Sequence, residues 1–436
     1  MLGSLRVVDM TKDKTERGYI VRKKVLLLTL MFVLVFAIGS VATAQVTIDY
    51  WHYLSGDNSQ IHEAKVAEFN RLHPDIHVEV LYTGNQFATR DKLMVAVAGG
   101  QPPHVALMDQ FWPPMMVATG AMVPLKDFVD TDEYFEDFTS ISLDTVTIDG
   151  EQWTMPFSMS NQILFYNKDM FREVGLDPEK PPATWDELVE YGKLLTRDVD
   201  GDGQIDEWGV NFTTRANIGA VYGFITFLWQ AGGEIYNEDF TATAFNDEAA
   251  VEAVNFWIDL AHNHKILTLS PPQEGFEVGR IAMQYSSTSG IARTAEKVDF
   301  DFGVAPLPAH KEMVTGVGGS SMGIFRTTPE KEAAAWTFVE WMANEENNLE
   351  WSMATGYTPL RKSVLASDEY NQYLEENPFI QTVIKQAQYA RARPNVVSYA
   401  DVSRVLGIAV EEALFANVHP QQTLDNAVVE ANGFIF

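Results

Sequence analysis

Val46-Thr47-Ile48-Asp49-Tyr50-Trp51 is an alternating, β-rich run, and the order of elements that it opens decides the fold. The turn-forming Ser55-Gly56-Asp57-Asn58 leads into a helical spacing through Ile61, Ala64, Phe69 and Leu72. His77 to Tyr82 reads as a second strand. Asp91 to Ala98 reads as a helix closed by Gly99-Gly100, and Val105 to Met108 as a third short strand. Strand–helix–strand–helix–strand is the signature of a mostly parallel sheet flanked by helices, so an α/β fold is expected.

The pattern continues downstream. Pro181-Pro182-Ala183-Thr184-Trp185-Asp186-Glu187 predicts a helix start, with Thr184 as N-cap and Glu187 reaching back as a capping box. A helix is expected over Asp247 to His264, with Val251, Val254, Ile258 and Ala261 on one face. Another begins at Thr328-Pro329-Glu330, with proline at its favoured first position. No internal repeat or low-complexity linker interrupts the chain, which suits two lobes knitted together by several crossings.

Ahead of this region, Arg22-Lys23-Lys24 precedes an apolar run from Val25 to Ile38 and a small-residue end at Ala42-Thr43-Ala44. That order is a secretory signal peptide, cleaved after Ala44, over residues 21–44. The apolar run is shorter than the roughly 20 residues that span a bilayer. Residues 1–20 read as a non-native upstream extension. Cysteine is absent, so an exported chain would fold without disulfides and would lack the acceptor for an N-terminal lipid. A periplasmic protein, free rather than lipid-anchored, is expected. The formal net charge is −29, and removing residues 1–44 with their surplus of four positive charges takes it to −33. So acidic a surface argues against nucleic acid or an anionic membrane as partner.

A set of ordered motifs carries a resemblance. Pro156-Phe157, Leu164-Phe165-Tyr166-Asn167-Lys168-Asp169, Gly175-Leu176-Asp177 and Pro181 to Leu188 form its densest stretch. Gly279-Arg280-Ile281-Ala282-Met283, Ala305-Pro306-Leu307-Pro308, Gly318-Gly319-Ser320 and Thr355-Gly356-Tyr357-Thr358-Pro359-Leu360 come after it. In this order the chain resembles the family 1 extracellular solute-binding proteins of ABC importers, especially members that bind sugars or glycerol 3-phosphate. The resemblance implies two α/β lobes, 45–155 with 308–352 and 156–307 with 353–436, joined by a three-segment hinge. It puts crossings near Pro156, near Pro306-Leu307-Pro308 and near Met353 to Tyr357. It also implies a monomer that encloses a small sugar-like molecule between the lobes and presents it to the importer's permease subunits.

A sugar offers hydroxyls to carboxylates, amides and arginine, and C–H faces to aromatic rings. Ligand candidates on loops and strand ends are Trp51, His52, Asp109, Trp112, Ser160, Trp229, Tyr285, Ser287, Gly319, Tyr357 and Arg404. Asp109 falls where the family carries a ligand-bonding carboxylate. Each has a plainer role open to it, since tryptophans are often core; Trp257, Trp336 and Trp341 sit in helical patterns and read as core. In the loop Gly84-Asn85-Gln86-Phe87, Gln86 stands where the glycerol-phosphate-binding pattern has a tyrosine. With the acidic surface, this turns the expectation from a phosphate ester toward a neutral sugar or oligosaccharide.

Asp198-Val199-Asp200-Gly201-Asp202-Gly203-Gln204-Ile205-Asp206 matches the first nine positions of an EF-hand-like calcium loop. Asp198, Asp200, Asp202 and Asp206 would offer carboxylates and Gln204 its backbone carbonyl to a structural Ca2+. Position 12 is Gly209 rather than glutamate, leaving Glu207 or a distant acid to complete the shell; a solvated acidic turn is the alternative. No organic cofactor is implied. A secreted glycoside hydrolase is the enzymatic alternative, but no motif singles out a carboxylate pair, and His-Glu-x-x-His and the P-loop are both missing. A sensor accessory presenting bound sugar to a receptor is not separable from an importer subunit by sequence.

Overall fold

The computed structural model describes residues 45–215, 218–416 and 418–435. The upstream extension and the signal segment lie outside the described residues. Strands β1 (Val46–His52), β2 (Ile76–Tyr82) and β3 (Val105–Asp109) alternate with helices α1 (Asp57–Leu72) and α2 (Gln86–Ala98). Helix α2 starts five residues before the expected Asp91 because Asn85 caps it, its side chain accepting from Ala88 N at 3.0 Å. Next come β4 (Thr154–Asn167), α3 (Trp185–Leu195), β5 (Trp208–Asn211), α4 (Ile218–Gln230), α5 (Glu248–Ile258), β6 (Ile281–Ser287) and β7 (Phe302–Ala305). The chain continues through β8 (Thr315–Ile324), α6 (Pro329–Met342), α7 (Glu345–Thr355), β9 (Ala390–Arg391) and α8 (Tyr399–Ala416).

The strands run β2-β1-β3-β8-β4-β6-β5, with β7 on β4 and β9 on β8. β1 pairs in parallel with β2 and β3, whereas β8 is antiparallel to both β3 and β4. β4 is buried along its whole length. Its first half, from Thr154 to Asn161, pairs with β8, and the remainder pairs with β6 and β7. One strand thus belongs to both halves of an α/β molecule with two lobes. β8 makes the second link between them. Pro306-Leu307-Pro308, expected at a crossing, lies just past β7, where Leu307 N donates to Gln386 Oε1 at 2.7 Å and Ala309 N to Ala183 O at 2.9 Å.

The first lobe closes α1 and α6 over β1. His62, Val66 and Phe69 recur at helical spacing on the inner face of α1, and Phe338 of α6 sits edge-on to Tyr50 and Phe69 at 5.2 and 5.1 Å. Full burial of such a phenylalanine contributes about 2–3 kcal/mol. The second lobe packs Trp185, Phe227, Trp257 and Leu406 into a larger core, which reaches across to Met108, Phe111 and Trp112 of the first. Thr184 caps α3 as expected, its hydroxyl accepting from Glu187 N at 3.2 Å. Glu187 returns the contact to Ala183 N at 2.7 Å, one residue beyond the N-cap. α5 ends at Ile258 and widens into a π turn over Asp259–Asn263. Its buried face is Ala250, Ala253, Val254 and Trp257, so of the expected stripe only Val254 is fully inside.

Candidate functional site

Where the two lobes meet, a cavity of about 200 Å³ is lined by Tyr53, Leu54, Gln86, Asp109, Ser158, Ser160, Tyr222, Gly318, Gly319, Ser320, Tyr357 and Arg393. The lining comes from strand ends and the linking strands. Tyr53 follows β1, Asp109 ends β3, and Ser158 and Ser160, two apart on β4, share one face. Opposite them runs Gly318-Gly319-Ser320 of β8, where Ser158 Oγ and Ser320 Oγ lie 2.7 Å apart. Tyr357 is delivered by the left-handed Gly356 that ends α7, φ 76°. It is held in place when Thr358 N donates to Met159 O at 2.9 Å.

The floor is an ion pair. Arg393 donates from Nη2 to Asp109 Oδ1 at 2.9 Å and from Nε to Val317 O at 3.1 Å. Its guanidinium lies over the rings of Phe111 and Tyr222, at 5.0 and 5.5 Å. Both charges are nearly out of solvent. Burial pushes the Asp109 carboxyl above the ordinary range, against the pull of Arg393 and of the backbone N–H groups of Phe111 and Gln110. Burial works against the Arg393 charge, but Asp109 together with Tyr399 and Tyr222 more than offsets it, and the guanidinium keeps its proton. Burial also drives Tyr53, Tyr222 and Tyr357 up, so all three present neutral hydroxyls. Such a cavity can hydrogen-bond a polyhydroxylated molecule from many sides, with aromatic faces beside it.

Of the expected ligand residues, Asp109, Ser160, Gly319 and Tyr357 come together here. The others do not. His52 is wholly buried, stacked on Tyr50 and 5.3 Å from His62, because it falls on the inward face of β1. Trp51 is half-buried against the larger core. Trp112 is fully buried, its ring 5.5 Å from that of Tyr53, so it backs a cavity residue rather than forming the wall. Tyr285 packs between Phe212 and Phe227, at 5.5 and 5.2 Å. Ser287 turns to Ser289, hydroxyl to hydroxyl at 3.0 Å. Trp229 lines a second recess with Tyr236 and Phe240, which shares only Arg393 with the cavity, and its ring is covered by the Arg391 guanidinium at 4.5 Å. Arg404 is half-exposed on α8, near Asp401 and Glu430 at 4.0 and 3.8 Å. The cleft arginine is Arg393.

Tyr53, Ser158, Tyr222, Gly318, Ser320 and Arg393 lie outside the expected set. The Ser158-x-Ser160 alternation is a readable sign of two hydroxyls on one face of a strand. Arg393-Pro394 is another, since a residue before proline is held extended and fits a segment laid along a sheet.

The acidic loop lies among none of the cavity's residues. Asp198, Asp200 and Asp206 each bring a carboxylate oxygen to within 4.8 Å of the others. Asp198 also accepts from Gly201 N and Gly203 N at 2.7 and 2.9 Å. Gly203 holds the sharp turn at φ 88°. The Asp202 carboxylate accepts from Gln204 N at 2.7 Å and is not in this group. Glu207, one of the two alternatives for completing the shell, accepts from Arg197 Nε at 2.7 Å.

The family model for bacterial extracellular solute-binding proteins matches residues 64–377. The sn-glycerol-3-phosphate-binding periplasmic protein UgpB of Escherichia coli K12 is 24% identical over 412 residues, covering 90% of this chain and 93% of its own. The solved cyclic alpha-maltosyl-1,6-maltose binding protein of Arthrobacter globiformis superposes with a TM-score of 0.78 at 29% identity, over 90% of this chain and 99% of its own. UgpB of Mycobacterium tuberculosis, solved with glycerophosphocholine, gives 0.79 at 22% identity, over 89% and 98%. Among the described residues no helix is long and apolar enough to cross a membrane. With a two-lobed fold and a polar cavity at the meeting of the lobes, the chain belongs to the bacterial extracellular solute-binding proteins.

Proposed function

We propose that the protein captures a neutral sugar or short oligosaccharide in the cavity between its lobes and delivers it to the permease of an ABC importer. The carrying observation is the charge-balanced cavity: one carboxylate and one guanidinium already paired, surrounded by serine and tyrosine hydroxyls. The volume of about 200 Å³ lies below the roughly 300–1,000 Å³ of drug-sized sites and suits a single sugar ring. A neighbouring recess of about 340 Å³ shares Tyr53, Leu54, Gln86 and Tyr357 with it, which leaves room for a further ring. The relatives named for maltosyl-maltose and for glycerol phosphate bracket this reading. Delivery would come after export through the signal segment, with the mature chain beginning at Gln45 and free of a lipid anchor. Nothing in this reading calls for catalysis.

A thermal-shift screen over mono- and oligosaccharides, polyols and glycerol 3-phosphate tests it, with calorimetry on the hits. A neutral saccharide should raise the melting temperature in a saturable way. Stabilisation by phosphate esters alone would reject the neutral-sugar reading. Failure of every small solute, together with turnover of a glycoside, would reject a binding protein altogether.

We also propose a structural Ca2+ in the acidic loop. The convergence of Asp198, Asp200 and Asp206 supports it, because oxygen-only donors at that spacing suit a hard cation. The ion would brace the turn between α3 and β5 and take no part in solute capture.

A further inference from the structure

We infer that Asp109 sets the charge selectivity of the cavity, by committing Arg393 to an internal ion pair that leaves the site electrically balanced. This rests on the interlobe cavity being the solute site. Of the residues that line it, only Asp109 and Arg393 carry a formal charge; the others supply hydroxyls, an amide, backbone groups and one leucine. A guanidinium does not give up its proton in a protein. Its charge at this depth is therefore permanent, and Asp109 is what answers it.

The answer is built into the frame. Asp109 ends strand β3, and the backbone N–H groups of Gln110 and Phe111 favour its charged form alongside Arg393. Arg393 arrives from 284 residues away, fixed at its other end by Val317 O and flanked by Phe111 and Tyr222. The guanidinium is thus held by groups other than Asp109 and would stay in the cavity wall if the carboxylate lost its charge. It would then be a buried, uncompensated cation, which is strongly unfavourable. A phosphate oxygen entering the cavity could make the same charge-assisted contact that Asp109 Oδ1 now makes. Conversely, an anionic solute meeting the wild-type cavity faces the carboxylate as well as the arginine. Its attraction to one is offset by repulsion from the other, while a neutral polyol incurs neither.

The test is calorimetry on wild type, Asp109→Asn and the double variant Asp109→Asn/Arg393→Gln. The probes are inorganic phosphate, glycerol 3-phosphate, and the neutral saccharide found by the screen. Asparagine keeps the shape of the aspartate and removes its charge. Wild type should bind the neutral solute and respond weakly to phosphate. Asp109→Asn should gain phosphate affinity by about tenfold or more, and the double variant should lose that gain. A folded Asp109→Asn with no gain overturns the inference, as does a gain that survives in the double variant or wild-type phosphate affinity already equal to the variant's. If Asp109→Asn is too unstable to titrate, phosphate should restore its folding where chloride at equal ionic strength does not; no rescue overturns the inference. A wild type that binds no neutral solute, whatever the variants do, defeats the neutral-sugar reading instead.

Discussion

A Cβ added to Gly319 would stand 2.0 Å from the carbonyl oxygen of Ser158 on the paired strand, and Gly319 itself holds φ at 142°. Gly319 pairs with Met159 just before the bulge where the register of β8 against β4 shifts, between Ser320 and Ser321. The close approach brings the hydroxyls of Ser158 and Ser320 together at the cavity wall.

Gly319→Ala must therefore push the two linking strands apart or force alanine into a backbone region it avoids. We expect a loss of about 2–4 kcal/mol in stability and solute affinity weakened by about tenfold or more. Gly223→Ala is the control, because there the added methyl meets only Thr213 O at 4.0 Å within a helix. Denaturation and calorimetry on both variants decide the matter; a Gly319→Ala protein that melts and binds like wild type would contradict the packing.

The two arginines separate by consequence. Arg393→Met leaves Asp109 buried beside an apolar side chain, which should cost about 3–5 kcal/mol and abolish solute binding. Arg404→Gln removes a half-exposed charge from weak surface contacts at 3.8 and 4.0 Å. It should change stability by no more than about 0.5 kcal/mol and leave affinity alone. Urea midpoints and titrations of the pair give the comparison, and equal effects from both substitutions would put the wrong arginine in the site.

That contrast between the arginines marks the boundary of what the chain's sequence reveals. The first-lobe strands are legible because alternation and length are local signals, and β2 and β3 lie within a residue of their expected bounds. Asp109 is legible as a polar residue at the end of an apolar strand. His52 is not, because its side of β1 depends on pairing: Ile48, Tyr50 and His52 share the inward face. Arg393 is hidden because its partner is 284 residues away and its neighbouring strand is only two residues long, Ala390–Arg391. Tyr222 sits in an aromatic-rich helix, and only the docking of α4 against β8 turns its hydroxyl to Gly316 O at 3.2 Å. Contacts made by tertiary docking leave no periodic trace.

His62 should make the first lobe sensitive to acid. It is fully buried, its Nε2 2.7 Å from the Tyr50 hydroxyl, edge-on to Phe157 at 5.1 Å and tilted 5.3 Å from His52. Burial, with His52 adding, pushes its pKa down to about 3. His52 is lowered as well by burial, with Glu63 at 3.6 Å pulling the other way. A group with a depressed folded-state pKa lends its stability above the unfolded value of roughly 6.5 and loses it as pH falls toward the folded value. Melting temperature should thus decline between about pH 6.5 and pH 3 more steeply than the carboxylates alone would give. His62→Gln keeps a polar group near Tyr50 and cannot titrate, so its profile should be flatter even if it melts lower at neutral pH. Parallel profiles for the two proteins would remove His62 from the account.

Calcium should stabilise the chain without touching solute capture. Asp198, Asp200 and Asp206 converge outside the cavity, and ligand-free carboxylates at that spacing repel one another. A cation binding only the folded state adds about 2.7 kcal/mol when present at roughly 100 times its dissociation constant, so a rise of several degrees is expected after chelation and refilling. Asp200 is the residue to change. Only its Oδ1 is engaged, accepting from Asp202 N at 3.1 Å, and asparagine can keep that contact. Asp200→Asn should therefore preserve the turn, abolish or greatly weaken the calcium heat, and leave the solute dissociation constant as it was. A calcium response that persists at full strength in Asp200→Asn would place the ion elsewhere. The same response missing from wild type would return the loop to a solvated acidic turn whose carboxylates serve its own backbone.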